Sequence, residues 1–137
     1  MDRRQAPGYV FIAGGVGVTP LYSMVLTMRE REDVRPVTFF YASATLEEAV
    51  FREQLTELTK TMPNLRVFLV PGRPPEGWTG ESGFITPDVL RRHLPSQYRR
   101  YEYFICGSSA MMDAMEKALT EVGVPFRQVS TERFDMV

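Results

Sequence analysis

The sequence predicts an α/β fold: a doubly wound, five-stranded parallel sheet in the order 3-2-1-4-5, with helices on both faces. Three features of the chain predict it. Short β-rich runs alternate with helical patterns throughout. Several runs are almost continuously apolar, as strands covered on both faces are. A glycine-rich turn follows the first run and leads directly into a helix, and right-handed crossovers then restrict the topology.

The elements follow in order. The first strand is YVFIA from Tyr9. After the glycines, Pro20 suits the opening of a helix whose face is Leu21, Met24, Val25 and Met28. VTFFYA from Val37 is the second strand. Thr45 with Glu48 three residues on has capping-box spacing, so the second helix is expected to start there, with Phe51, Leu55, Leu58 and Met62 inward. LRVFLV from Leu65 is the third strand. Thr86, Pro87 and Asp88 form a cap, a first-turn proline and a dipole partner for a short helix ending near His93, before Pro95. YEYFIC from Tyr101 is the fourth strand. The last helix begins at Ser108 or Ser109, turns Met112, Met115, Leu119 and Val122 inward, and stops at Gly123. FRQVS from Phe126 is the expected fifth strand.

Length and composition fit a single domain spanning residues 1–137, without repeats or a linker. With 44% hydrophobic and 24% charged residues, disorder is excluded, and a net charge of -1 gives no general attraction to nucleic acid. Cys106 is the one cysteine and His93 the one histidine, which excludes an internal disulfide, a four-cysteine cluster and a multi-histidine metal site. No metal is therefore expected. Neither a spanning apolar stretch nor a signal-peptide core is seen, so a reducing, cytoplasmic setting is expected.

In such sheets ligands bind at the carboxyl ends of the strands where the order reverses, here between the strands starting at Tyr9 and Tyr101. Gly14, Gly15, Val16, Gly17, Val18, Thr19 and Pro20 bring bare amides and a helix N-terminus to one point, which suits a pyrophosphate. The GxGxxG fingerprint is incomplete, because Pro20 stands where the third glycine belongs. A tight, closely packed turn explains the same glycines, and the local pattern leaves both readings open. The second strand ends in Ala42, Ser43 and Ala44, with no carboxylate to repel a 2′-phosphate.

Together, GGVGVTP, CGSSAMM and the final ERF resemble the nicotinamide-nucleotide domain of the ferredoxin-NADP reductase superfamily, over almost the whole chain. FREQL and the GWTGESGFI loop are similar too. The resemblance implies hydride transfer from NADH or NADPH to a flavin. It implies that Gly14, Gly15, Val16, Gly17, Thr19 and Pro20 form the pyrophosphate turn, with Thr19 near the nicotinamide and Cys106 beside the reacting carbon. Gly107, Ser108 and Met111 follow in the cofactor-bordering segment, although a methionine at helical spacing also suits a core, as read for Met112 and Met115. Glu132 corresponds to a carboxylate at the flavin–nicotinamide junction and Phe134 to an aromatic covering the flavin. Ser108 replaces the family's proline, and Asp135, Met136 and Val137 extend beyond the aromatic. Cys106 also reads as a small hydrophobe closing a buried strand.

Arg73 in PGRPPEGW suits a phosphate dianion, so with Ser43 it tips the reading from NAD toward NADP. That loop resembles the GRP-W segment of the ferric reductase and NADPH oxidase branch, which would put the chain on the cytosolic part of a membrane-bound reductase. Trp78 reads as a packing residue. No flavin-binding barrel or RxYS-type motif is present, so FAD is expected on a companion domain, and this chain alone is expected to be inactive. The onward acceptor, whether haem, iron-sulfur or ferric iron, is not specified. The alternative is a non-catalytic nucleotide-sensing or regulatory module. The Arg29 to Arg35 run and the Arg91, Arg92, Arg99 and Arg100 cluster read as solvated faces.

Overall fold

Five apolar runs pair in parallel to give a sheet ordered β3-β2-β1-β4-β5, the order expected. The computed structural model describes residues 6–133, the side chain of Arg133 excepted. In chain order the elements are β1 Tyr9–Gly14, α1 Val18–Glu30, β2 Val37–Ser43, α2 Arg52–Thr61, β3 Leu65–Pro71, α3 Pro87–His93, β4 Glu102–Gly107, α4 Ser109–Glu121 and β5 Val129–Arg133.

Strand alternation divides the core in two. Tyr9, Phe11 and Ala13 of β1 join Leu21 and Val25 of α1 and Leu55 and Leu58 of α2 on one face. Val10 and Ile12 join Leu90 of α3 and Met112, Met115 and Leu119 of α4 on the other. The register puts Phe11 between Phe39 and Phe104, and the rings meet edge-on at 5.8 and 5.7 Å. Such aromatic pairs contribute about 0.5–1.5 kcal/mol each beyond their burial, which ties the three central strands together.

Two of the expected helix starts are as read. Thr86 accepts a hydrogen bond from the Val89 amide, and Ser108 accepts one from the Met111 amide. Gly123, at φ 87, carries the chain past the end of α4.

Four expectations are corrected. α1 begins at Val18, so Pro20 is its third residue; a proline is tolerated there because first-turn amides have no intrahelical acceptor. α2 begins at Arg52, not near Thr45. The Thr45–Glu48 box forms, with the Glu48 amide donating to Thr45 Oγ1 at 3.3 Å, but it closes an isolated turn. Buried Ala49 and the Arg52 guanidinium, bonded to the Leu46 carbonyl, hold that turn folded ahead of the helix. β5 begins at Val129, because Phe126–Gln128 form one 3₁₀ turn after Pro125. β4 begins at Glu102, one residue later than read, after a 3₁₀ turn over Tyr98–Arg100.

The arginine-rich segments also differ in part from the reading. Arg35 packs over the Tyr9 ring and chelates Asp33, holding that carboxyl below its usual range. Arg91 pairs with Asp88 and Glu121, and Arg92 with Glu81. These cations are engaged locally.

Candidate functional site

The glycine turn works through main-chain contact. Gly14 leaves β1 extended, Gly15–Gly17 make one 3₁₀ turn, and α1 starts at once with Gly17 as its N-cap. A Cβ on Gly17 would overlap the carbonyl group of Cys106, so only glycine lets the start of α1 lie against the end of β4. Gly15 differs. Its φ of 54 is left-handed, and a Cβ there would meet nothing within 4 Å. Val16 beside it is 65% exposed. The turn is thus clamped at Gly17 and open over Gly15 and Val16, at the N-terminus of a 13-residue helix whose first amide, that of Val18, is bonded back to the Gly15 carbonyl. An anion is stabilised at such a place by the helix dipole and by the main-chain N–H groups of the turn. This glycine-built cradle fits a pyrophosphate.

The sheet register brings Cys106 and Glu132 side by side as paired residues of β4 and β5. They line one cavity of about 270 Å³, together with Pro20, Leu21 and Met24 of α1, Phe104 and Ser130. Cys106 is buried, and burial first, then the Glu132 carboxylate, pushes its thiol up to about 11. The sulfur is therefore a neutral S–H at neutral pH, a soft surface rather than a nucleophile. Glu132 is exposed at the rim. Phe134 lies outside the described residues.

The remaining candidates fall around this seam. Thr19 is exposed in the first turn of α1, and Pro20 borders the cavity. Gly107 is buried beside Gly14, and Met111 packs over both. The Ser108 hydroxyl is occupied in capping α4. At the same carboxyl edge, the Gly72 amide donates to Ser43 O at 2.7 Å and the Arg73 amide to Ala44 O at 2.8 Å. Arg73 and Ser43, chosen from separate segments, are thereby brought together with the arginine exposed. The Ser43 hydroxyl donates to Thr45 O.

The sequence reading missed Ser130 and Phe84. Stepping back two residues from Glu132 along a strand puts Ser130 on the same face. Phe84 stands 85% exposed on the loop after Gly83, whose amide donates to Pro71 O at the end of β3. An aromatic beside glycine in an otherwise mostly polar loop was its signal. A larger cavity of about 520 Å³ lies along the outer edge of β3, between Thr56, Phe68, Trp78 and His93. It holds neither strand end of the β1–β4 seam and is not taken as the site.

Residues 11–117 match the family model described as the oxidoreductase NAD-binding domain. The chain belongs to this family. It is 35% identical over 123 residues to NADH-cytochrome b5 reductase 1 of Debaryomyces hansenii, covering 85% of this chain and 43% of that protein. It is 36% identical over 118 residues to the enzyme of the same name from Aspergillus oryzae, covering 82% and 40%. The cytochrome b5 reductase domain of Ulva prolifera nitrate reductase superposes with a TM-score of 0.83 at 27% identity, covering 93% of this chain and 49% of that one. A Malassezia yamatoensis flavohemoglobin with bound FAD and heme superposes with a TM-score of 0.81 at 27% identity, covering 95% and 32%. The chain thus spans less than half the length of these relatives. The resemblance to the ferredoxin-NADP reductase superfamily is borne out, and the family is one of NAD-binding, flavin-dependent reductases. Among the described residues no helix is long and apolar enough to cross a membrane.

Proposed function

We propose that this chain is the nucleotide-holding part of a flavin-dependent reductase, presenting NADPH or NADH across the β1–β4 seam to a flavin on a companion domain. The observation that carries this reading is the register of Cys106 against Glu132, in one cavity with the first turn of α1. A dinucleotide seated with its pyrophosphate on Gly14–Thr19 brings its nicotinamide end to that cavity. The bound nicotinamide supplies a hydride.

The chain's own residues orient and shield it. Leu21, Met24 and Phe104 give an apolar wall that excludes water. The neutral Cys106 thiol packs against the ring without adding to it. The Glu132 carboxylate accepts a hydrogen bond from the carboxamide and fixes which ring face is offered. The relatives' names point to a haem protein as the onward acceptor, and the lone buried thiol suits a cytosolic setting.

At the other end, Arg73 and Ser43 receive the adenosine 2′-phosphate, giving a preference for NADP. The loop's two main-chain bonds to the end of β2 support this reading, as does the lack of a carboxylate there. Both fungal relatives are named for NADH, so the preference would distinguish this chain from them. Titration calorimetry with NADPH and NADH tests it. Arg73→Ala is expected to weaken NADPH binding about tenfold and leave NADH unchanged, the usual size for a charged hydrogen bond to phosphate. Equal loss for both nucleotides would remove the 2′-phosphate role, and no binding of either would remove the whole proposal.

A further inference from the structure

Three glycines at the seam have different neighbours. Gly17 faces the Cys106 carbonyl. Gly14 and Gly107 both face Met111: a Cβ on Gly14 would overlap its sulfur, and one on Gly107 would stand 2.6 Å from it. Gly14 ends β1 and Gly107 ends β4, so one thioether spans the tips of the two strands where the sheet order reverses.

Met111 is also unlike its helical neighbours. Met112 and Met115 are 0% and 2% exposed within the core half shared with α3, whereas Met111 is half-buried. Its amide donates to Ser108 Oγ at 3.3 Å, which fixes the first turn of α4 and aims the side chain back over the strand ends. An unbranched, flexible thioether suits a nook walled by bare Cα atoms.

We propose that Met111 is a positioning residue for the dinucleotide. Its sulfur is a wedge against the glycine turn, and Gly14 and Gly107 are glycines because they seat it. The turn is held at Gly14 by sulfur and at Gly17 by the β4 main chain, which leaves Gly15 and Val16 as the span that meets the phosphates. Met111 acts through the turn and does not touch the reacting ring. The inference rests on the dinucleotide reading above and adds a specific coupling to it.

A size-complementation cycle on the 137-residue chain tests it. Gly14→Ala, Met111→Ala and the double variant are compared by calorimetric Kd for NADPH and for ADP, which shares the pyrophosphate, and by thermal midpoint and far-ultraviolet circular dichroism. Gly14→Ala, which drives the sulfur from its seat, is expected to weaken both ligands about tenfold, and Met111→Ala about threefold. The double variant is expected to bind no worse than Met111→Ala, because the new methyl occupies the vacated nook, and its midpoint should recover in the same sense. Additive losses in both Kd and midpoint would overturn the wedge while leaving the dinucleotide reading intact. So would an unchanged Kd in Met111→Ala. Wild-type protein that binds neither ligand would overturn both.

Discussion

The seam between β1 and β4 and the loop from Gly72 to Thr86 sit at the same edge of the sheet but are held in opposite ways. At the seam, main chain meets main chain: Gly17 lies on the Cys106 carbonyl, and Gly14 and Gly107 leave room for one sulfur. In the loop, main-chain bonds tie Gly72, Arg73 and Gly83 to the ends of β2 and β3, and side chains fasten the stretch between them. Glu81 takes two 2.8 Å bonds from Arg92 and one of 2.7 Å from His93, and the Trp78 indole donates to Glu81 O at 2.7 Å. Glycine-to-backbone contact has no adjustable part, so it suits the invariant portion of a dinucleotide. A loop clamped by exposed ion pairs can be altered without disturbing the sheet, so it suits the portion in which nucleotides differ.

The largest effect should come from breaking the seam. Gly17→Ala places a methyl against main chain that cannot turn away, at a cost of about 3 kcal/mol in stability, with loss of nucleotide binding. Gly15→Ala in the same turn meets open space and bears only the left-handed backbone cost of about 1 kcal/mol. Chemical denaturation of the two variants compares them directly; equal losses would mean that close approach is not what the glycines provide. The tenfold selectivity change at Arg73 comes next and should leave stability untouched, as a loop role demands.

Smaller still is the helix cap. Ser108→Ala removes the acceptor for the Met111 amide and should cost about 1 kcal/mol, measurable as a lower thermal midpoint. The smallest effect belongs to Glu81. Arg92 above all, with His93 beside it, holds the Glu81 carboxyl down at about 2 against an ordinary 4.5. A depressed carboxyl contributes stability that is full above 4.5 and disappears as pH falls through about 2. Glu81→Gln should flatten stability across that acid window, and added salt should shrink the difference, because Arg92 is 54% exposed.

Much of the fold was legible because its signals are local. The apolar runs at Val37 and Leu65, the Thr86 and Ser108 caps and Gly123 each depend on a few neighbouring residues, and each is where it was read. The start of α2 was not, since Thr45 and Glu48 satisfy one another in a turn as readily as in a helix, and the burial of Ala49 decides between them. β5 starts late for a comparable reason, with Pro125 and the 87% exposed Phe126 leading into a 3₁₀ turn. The site was legible in its residue types but not in its pairings. That Cys106 adjoins Glu132 is set by the β4–β5 register, and that Met111 rests on Gly14 is set by a side-chain path from another element. Neither is written in any contiguous stretch.

Amide chemical-shift mapping on the 137-residue chain during titration with NADPH tests the central claim most directly. Shifts are expected at Gly14 through Thr19, at Cys106 through Ser108 and at Glu132, with Arg73 joining them for NADPH but not for NADH. Shifts confined to the groove between Thr56, Phe68 and Trp78, with the glycine turn silent, would contradict the account.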